Sequence, residues 1–254
     1  MTAAVLAVLC AAALFILFPA LRKTWYLPKR KGFVALMYHH VAEQNPSSSD
    51  PFTVAPAMLE KHLVFLKENG YTPVSLKELQ EGAPVQKPVM LTFDDGYEDN
   101  YKNLFPILKK YNVPAVIFLV TDKIGSPEYM TWDQIREMKN SGLVQFGSHT
   151  CSHRRLRSLP DEEIARELVR SKQILEEQLG EPVTAFCYPF GAGGFDKRVR
   201  PQVFKAGYLF DFSTKKGVNP WPWNPAKTLL RAFPRGGETL FDYHLQLTRG
   251  QSKL

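Results

Sequence analysis

The chain has 254 residues, of which 44% are hydrophobic and 22% charged, as in a globular protein with a sizeable core. This length suits one large α/β domain, and three cysteines are too few for a disulfide scaffold. Of the net charge of +7, residues 1–31 supply +5, so the remainder is nearly neutral and a nucleic-acid partner is not expected.

Residues 3–21 form an uncharged, Ala/Leu/Phe-rich run of about the length that crosses a bilayer. Trp25 and Tyr26 follow it, where interfacial aromatic residues are expected. The sequence therefore predicts a single-pass anchor in the cell membrane, with residues 3–21 contacting lipid. The expected division is an anchor and basic juxtamembrane segment over residues 1–31 and a catalytic domain over residues 32–254. A cleaved signal peptide and a buried core helix are the alternatives.

The orientation of this anchor is open. Its flanking basic residues all follow the apolar run, and the positive-inside rule then keeps the following domain in the cytoplasm. Many enzymes of the kind considered below work on the outer side of the membrane. Both orientations remain as alternatives.

Strand-like and helix-like segments alternate along the rest of the chain. Strands are predicted at 33–38, 71–74, 89–93, 115–120, 143–146, 183–187, 208–212 and 228–233. Helices are predicted at 56–69, 76–80, 99–111, 132–140, 161–179, 197–205 and 240–248. Such repeats predict a parallel sheet covered by helices, either an α/β barrel or an open doubly wound sheet.

Two adjacent carboxylates follow the predicted strand 89–93. Successive residues at a strand end point in different directions, so Asp94 and Asp95 can take different tasks, one as a metal ligand and the other as a proton acceptor. Because Asp-Asp-Gly is also ordinary turn chemistry, a simple turn is the alternative.

Two histidines follow the predicted strand 143–146. His149 and His153 are spaced i,i+4, so on a helical turn their imidazoles face the same way. Together with Asp95 they give three ligands and leave open positions, the pattern of a catalytic metal site. Cys151 lies between them and is expected to be a packed thiol.

These residues resemble the motifs of a known family. Thr92-Phe93-Asp94-Asp95-Gly96 and His149-Thr150-x-x-His153 resemble the first two motifs of the polysaccharide deacetylases, carbohydrate esterase family 4, and Tyr188-Pro189-Phe190-Gly191 looks like the third. The resemblance covers roughly residues 33–235 and implies a distorted (β/α)₇ barrel. By it, Asp94 is the general base, and Asp95, His149 and His153 bind Zn²⁺ or another divalent ion such as Co²⁺ or Ni²⁺. The backbone N–H of Tyr188 would stabilise the oxyanion.

The sequence departs from the family pattern in two places. The stretch Leu229-Leu230-Arg231-Ala232-Phe233 lacks the usual C-terminal histidine, and Cys187 stands where the third motif usually has arginine. Met37-Tyr38-His39-His40, after the first predicted strand, resembles the N-terminal motif of poly-N-acetylglucosamine deacetylases. His39 is therefore the candidate general acid and His40 the second choice.

The resemblance implies a metal-dependent hydrolase that removes N-acetyl groups from an amino-sugar polymer or a lipid-linked amino sugar. The alternative is a catalytically silent carbohydrate-binding protein with the same fold. Further polar and aromatic side chains are candidates for lining a sugar cleft, namely Glu98, Asp99, Trp132, Trp221 and Arg231.

Overall fold

The computed structural model describes residues 23–43, 50–82 and 84–253 of the chain. The expected membrane segment, residues 3–21, lies outside these ranges. Of the helices within them, none combines the length and the apolar character needed to cross a bilayer.

Most of the described strands belong to one parallel sheet. The strands are β1 (Val34–Tyr38), β2 (His40–Val41), β3 (Thr53–Val54), β4 (Thr72–Pro73), β5 (Pro88–Phe93), β6 (Ala115–Leu119), β7 (Val144–Ser148), β8 (Ala185–Cys187), β9 (Phe210–Phe212) and β10 (Arg231–Ala232). Seven of them follow one another in the order β10, β1, β5, β6, β7, β8, β9, and all these pairings are parallel. Strand β4 pairs with the start of β5, and β2 and β3 form a separate pair.

The sheet closes almost completely on itself. A parallel bridge joins Phe212, at the end of β9, to Leu229, which leads into β10. The two outermost strands of the path are thereby brought together. The prediction of an α/β barrel is confirmed, and the open doubly wound alternative is wrong.

Helices cover the outside of this barrel. They are α1 (Pro56–Glu68), α2 (Leu76–Glu81), α3 (Phe105–Tyr111), α4 (Trp132–Asn140), α5 (Asp161–Leu179), α6 (Arg200–Lys205) and α7 (Leu240–Arg249). The helix predicted from residue 99 begins instead as a π-helical turn, Asn100–Leu104, before α3. Pro106 has no N–H to donate to the preceding turn, which favours this wider start.

Alternate strand residues form two buried layers. Ala35, Met90, Val116, Phe118 and Phe212 belong to one apolar cluster, composed mainly of strand residues, that fills the barrel. Their neighbours along the same strands pack in a second cluster that includes the buried faces of the helices. Strands that are buried on both faces in this way are continuous apolar runs in the sequence. This is why the positions of the strands could be predicted from the sequence.

The N-terminal described segment packs against the C-terminal helix. Thr24 is fully buried, and its backbone N–H and hydroxyl donate to the carbonyl oxygens of Ser252 (3.0 Å) and Gln251 (2.6 Å). Lys23 forms a 2.9 Å ion pair with Asp242 of α7. These contacts join residues of the predicted juxtamembrane segment to the predicted catalytic domain, across the boundary expected after residue 31.

Candidate active site

The strand-end motifs meet at one mouth of the barrel. Asp94 and Asp95 follow β5, and His149 follows β7. His39 follows β1, and His40 is the first residue of β2. Because all the barrel strands are parallel, their carboxyl ends lie on the same face. These side chains line a cavity of about 650 Å³.

Asp95, His149 and His153 converge as the sequence predicted. One carboxylate oxygen of Asp95 lies 3.5 Å from Nε2 of His149 and 3.3 Å from Nε2 of His153. Candidate ligand atoms of the three residues all lie within 4.8 Å of one another. Asp95 has a left-handed backbone with φ of 75°, which Asp tolerates.

The donor set fits a divalent transition metal. Nδ1–H of His149 donates to the carbonyl oxygen of Cys187 (2.7 Å), so its Nε2 keeps a lone pair directed at Asp95. Burial lowers the pKa of both histidines and so favours the neutral imidazoles that a metal requires. The Oδ1 atom of Asp95 is buried and has no hydrogen-bond partner in the described part of the chain. Two imidazoles and a carboxylate are typical zinc ligands.

A loop, and not the expected helical turn, brings the two histidines together. Thr150 and His153 both have left-handed backbones, with φ of 70° and 59°. The buried carboxylate of Glu167, on α5, accepts the N–H groups of Cys151 (2.9 Å) and Ser152 (3.0 Å) and holds the loop. Glu167 is a positioning residue that sequence reasoning missed, because no motif marks it.

Neither buried cysteine suits metal binding. Cys187 lies near Asp94 and His149 in a second possible ligand group. Burial, however, raises the pKa of its thiol well above the usual range, and Asp94 is already engaged by an arginine. The pKa of Cys151 is likewise raised by burial, and its sulfur contacts the backbone of Glu167. Cys151 is a packed thiol, as predicted.

Arg231, on β10, binds Asp94, which follows β5, the second strand along from β10 in the sheet. Its two terminal nitrogens each lie 2.7 Å from a carboxylate oxygen, and one also lies 3.1 Å from the Cys187 sulfur. Burial alone would raise the pKa of Asp94, but this guanidinium more than offsets it and holds the pKa well below its usual range. Cys187 stands where the third motif usually has arginine, and the structure places Arg231 of β10 next to it in space. Arg231 is fully buried and does not line a sugar cleft.

The two N-terminal histidines have different surroundings. Nε2 of His39 lies 3.9 Å from Oδ2 of Asp94, and burial lowers the pKa of His39 to about 4. His40 contacts Asp99 at 2.6 Å and stacks on Tyr97 at 3.6 Å between ring centroids. Burial opposes protonation of His40, but the hydrogen bond to Asp99 and the charges of Asp99, Asp50 and Asp95 together outweigh it and raise the pKa. Both histidines line the cavity.

The amide of Tyr188 is already engaged in this structure. Its N–H donates to the carbonyl oxygen of Phe212 (3.1 Å) as part of the sheet, and its ring is buried. The expected oxyanion role of this group therefore conflicts with the observed geometry. Phe190, with φ of 58°, lies in the turn that the Gly191 N–H closes onto the Tyr188 carbonyl. That turn bond does not use the N–H of Phe190.

The aromatic rings that line the cavity are not the ones expected from the sequence. The cavity is lined by Phe52, Tyr97, Phe190 and Phe233. Trp221 packs on Phe33, with 5.6 Å between ring centroids, and so is a partly buried ring that packs against the core. Asp99 is hydrogen-bonded to His40, and neither Glu98 nor Trp132 lines the cavity. Tyr97 and Phe190 could have been found from the sequence, because each lies in or directly beside one of the quoted motifs.

Known proteins resemble this chain in sequence and fold. The sequence model of the polysaccharide deacetylase family matches residues 81–210. The Bacillus subtilis protein YxkH is 33% identical over 188 residues, which are 72% of this chain and 64% of that protein. The poly-beta-1,6-N-acetyl-D-glucosamine N-deacetylase of Escherichia coli is 37% identical over 139 residues, 47% of this chain and only 20% of the enzyme. A crystal structure of a Bacillus cereus polysaccharide deacetylase superposes with a TM-score of 0.78 and 28% identity, over 86% of this chain and 69% of that one.

Proposed function

Because this chain belongs to the polysaccharide deacetylase family, we propose that it hydrolyses N-acetyl groups of an amino-sugar polymer or a lipid-linked amino sugar in a metal-dependent reaction. One observation carries the proposal: Asp95, His149 and His153 converge in an open cavity beside an ionised Asp94. The name of the E. coli relative supports an acetylated amino sugar as substrate. We also assign the barrel to the distorted (β/α)₇ type, because seven strands lie on its path.

The three ligands would hold Zn²⁺ or a similar divalent ion such as Co²⁺ or Ni²⁺. When bound, the ion would supply Lewis-acid polarisation of the acetamide carbonyl and lower the pKa of water. Burial favours the neutral form of His149 by lowering its pKa, and the Cys187 carbonyl fixes the orientation of its ring. The aromatic walls of the cavity would bind the faces of the sugar rings.

Asp94 is proposed as the general base. The Arg231 ion pair lowers the pKa of Asp94 and so keeps it ionised at neutral pH, and it orients both of its oxygens. Such a carboxylate is a weak base, so it would accept the proton of a water molecule only as that water attacks the carbonyl. A positioned group of this kind typically contributes about 10²–10⁴-fold to the rate.

His39 is proposed as the general acid that protonates the leaving amine. With a pKa of about 4 it is neutral before the reaction, so it must receive its proton during turnover. Asp94, whose carboxylate lies 3.9 Å away, would pass on to His39 the proton that it accepts from the attacking water and so return to its ionised form. His40 remains the second candidate, because its raised pKa makes it the more easily charged of the two.

The oxyanion donor is proposed to be the backbone N–H of Phe190 in place of that of Tyr188. The turn bond does not use this N–H, and Phe190 lines the cavity beside His153, with 4.7 Å between their ring centroids. A backbone donor on a turn is held rigidly, which is the condition for stabilising charge that develops in the transition state.

The test is acetate release by the full chain. The zinc-loaded protein should release acetate from N-acetylglucosamine oligomers, and a chelator should stop the reaction reversibly. Asp94→Asn should keep the metal and lose about 10²–10⁴-fold in kcat. Binding of the oligomers without acetate release, under metal-loaded conditions, would favour the carbohydrate-binding alternative.

A further inference from the structure

Two basic side chains form one wall of the catalytic cavity. Lys216 follows β9 and Arg235 follows β10, and both line the cavity. Thr214 and Phe233, two residues earlier in each segment, line it as well. Each segment thus contributes two side chains, two residues apart, to the cavity.

Neither cation has a carboxylate partner in the described part of the chain. Arg235 lies over the Phe233 ring, 5.3 Å from its centroid, and its side chain forms no ion pair there. Lys216 likewise forms none. Burial, followed by the charge of Arg235, lowers the pKa of Lys216, which shows that the two cations lie within each other's field.

The acids near this wall are engaged elsewhere. Asp94 is paired with Arg231, and Asp95 faces the two imidazoles. Asp50 accepts the N–H of Phe52 and the hydroxyl of Thr53. Glu238, outside the cavity, accepts from Gln246 and Ser252 and lies 3.6 Å from the Lys253 ammonium. Within the described structure none of these acids forms an ion pair with Lys216 or Arg235, so both cations are available to an anion that enters the cavity.

The basic side chains continue beyond the cavity. Lys216 also lines a neighbouring cavity of about 130 Å³, together with Arg30 and Arg249. The Arg249 guanidinium donates to the carbonyl oxygens of Leu27 (2.9 Å) and Trp25 (2.8 Å), so its charge is not neutralised by a described acid. Lys216 thus connects the catalytic cavity to a second basic site.

We propose that the substrate is an N-acetylated amino sugar that carries a phosphate, and that Lys216 and Arg235 bind this phosphate. The inference rests on the proposed deacetylase function. A lysine ammonium and an arginine fork on adjacent segments suit a group with several acceptor oxygens. The second basic site could bind a further phosphate, so a diphosphate would contact both cavities. A single carboxylate would occupy only one of them and fits the arrangement less well.

The test compares matched neutral and phosphorylated substrates. The rate constant kcat/KM for acetate release is measured on an N-acetylglucosamine disaccharide and on the same disaccharide with a 1-phosphate. The wild-type protein should prefer the phosphorylated sugar by roughly tenfold or more, and this preference should shrink as ionic strength rises.

Alanine variants test whether Lys216 and Arg235 bind the phosphate. Lys216→Ala and Arg235→Ala should each reduce the preference by roughly tenfold. Lys215→Ala is the matched control, because Lys215 lies over the Phe195 ring and lines a separate cleft beside α6. It should leave the preference unchanged. Calorimetric binding of the phosphorylated disaccharide provides a readout besides turnover, and thermal unfolding checks that each variant is folded.

The outcomes separate this inference from the proposed function. Turnover of the neutral disaccharide without a phosphate preference overturns the inference and leaves the deacetylase function standing. A preference that survives in both alanine variants places the phosphate elsewhere and also overturns it. Acetate release from neither sugar overturns both proposals. Presenting the same headgroup on a polyprenyl chain in vesicles distinguishes a lipid-linked phosphate, which should then be the better substrate, from a soluble one.

Discussion

His149 and His153 each direct a ring nitrogen at one oxygen of Asp95, within 3.5 Å. Replacing either with alanine should abolish tight zinc binding, because two protein ligands hold a catalytic metal far more weakly than three. The measurement is zinc per chain after dialysis. His244→Ala is the control, because His244 lies on α7, away from the three converging ligands. Stoichiometric zinc in the double variant would rule out this ligand assignment.

Arg231 and Asp94 form a buried ion pair that couples stability to pH. Arg231→Gln leaves the carboxylate buried without its partner, so the free energy of unfolding at pH 7 should fall by about 3–5 kcal/mol. Without the guanidinium, burial raises the pKa of Asp94, and the penalty should shrink as pH falls and the carboxyl group is protonated. Metal-free wild-type and variant proteins should be unfolded with denaturant at pH 7 and pH 4. A penalty that is equal at both pH values would contradict this account.

The proposed general-acid role of His39 is tested by comparing substrates whose leaving groups differ in their need for a proton. An amine must be protonated to leave, whereas the alcohol of an activated ester need not be. His39→Ala should therefore lose far more kcat on an acetylated amino sugar than on an activated acetyl ester, by about 10²-fold or more, and should keep its zinc. Equal losses on both substrates would indicate a packing or positioning role. A selective loss found only in His40→Ala would assign the acid role to His40.

Strands β6 and β7 approach closely at a glycine two residues before His149. A Cβ on Gly147 would lie 2.6 Å from the Phe118 ring and 2.9 Å from the Ala185 carbonyl oxygen. Gly147→Ala should therefore push β7 away from its neighbours and lower the free energy of unfolding by about 1–3 kcal/mol. The measurement is denaturant unfolding, followed by zinc titration. The double change Gly147→Ala with Phe118→Leu should recover part of the loss, and failure to recover any would argue against this contact as the cause.

At the scale of the element, the HxxxH segment shows how a helix supports a loop. Its backbone cannot form a regular ladder, because Thr150 and His153 have left-handed conformations. The carboxylate of Glu167 satisfies two of its N–H groups from α5. The long amphipathic helix predicted at 161–179 is observed over Asp161–Leu179, and its buried acid serves the site and not the core.

For the whole molecule, membrane attachment through residues 3–21 remains a prediction. The full chain should stay in the membrane pellet in alkaline carbonate. The matched control is a chain beginning at Lys23, which keeps the contacts of Thr24 with Gln251 and Ser252 and should be released. Release of the full chain would contradict the anchor, and protease protection in sealed vesicles would decide which side the domain faces.

The sequence by itself determined the fold class and the chemistry of the strand ends. Parallel strands buried on both faces are continuous apolar runs, and their carboxyl ends share one face, so the order of residues alone places Asp94, Asp95, His149 and His39 together. Local patterns sufficed there, because each motif is attached to its own strand.

Only the tertiary structure decided which distant groups act on those motifs. Arg231 reaches Asp94 across 137 residues of chain, the Tyr188 amide is hydrogen-bonded to β9, and Lys216 lies in the same cavity wall as Arg235. Trp221 is a candidate for a sugar cleft by sequence but packs, partly buried, against the core. Such pairings depend on how the barrel closes, and closure is set by packing over the whole sheet and not by neighbours in sequence.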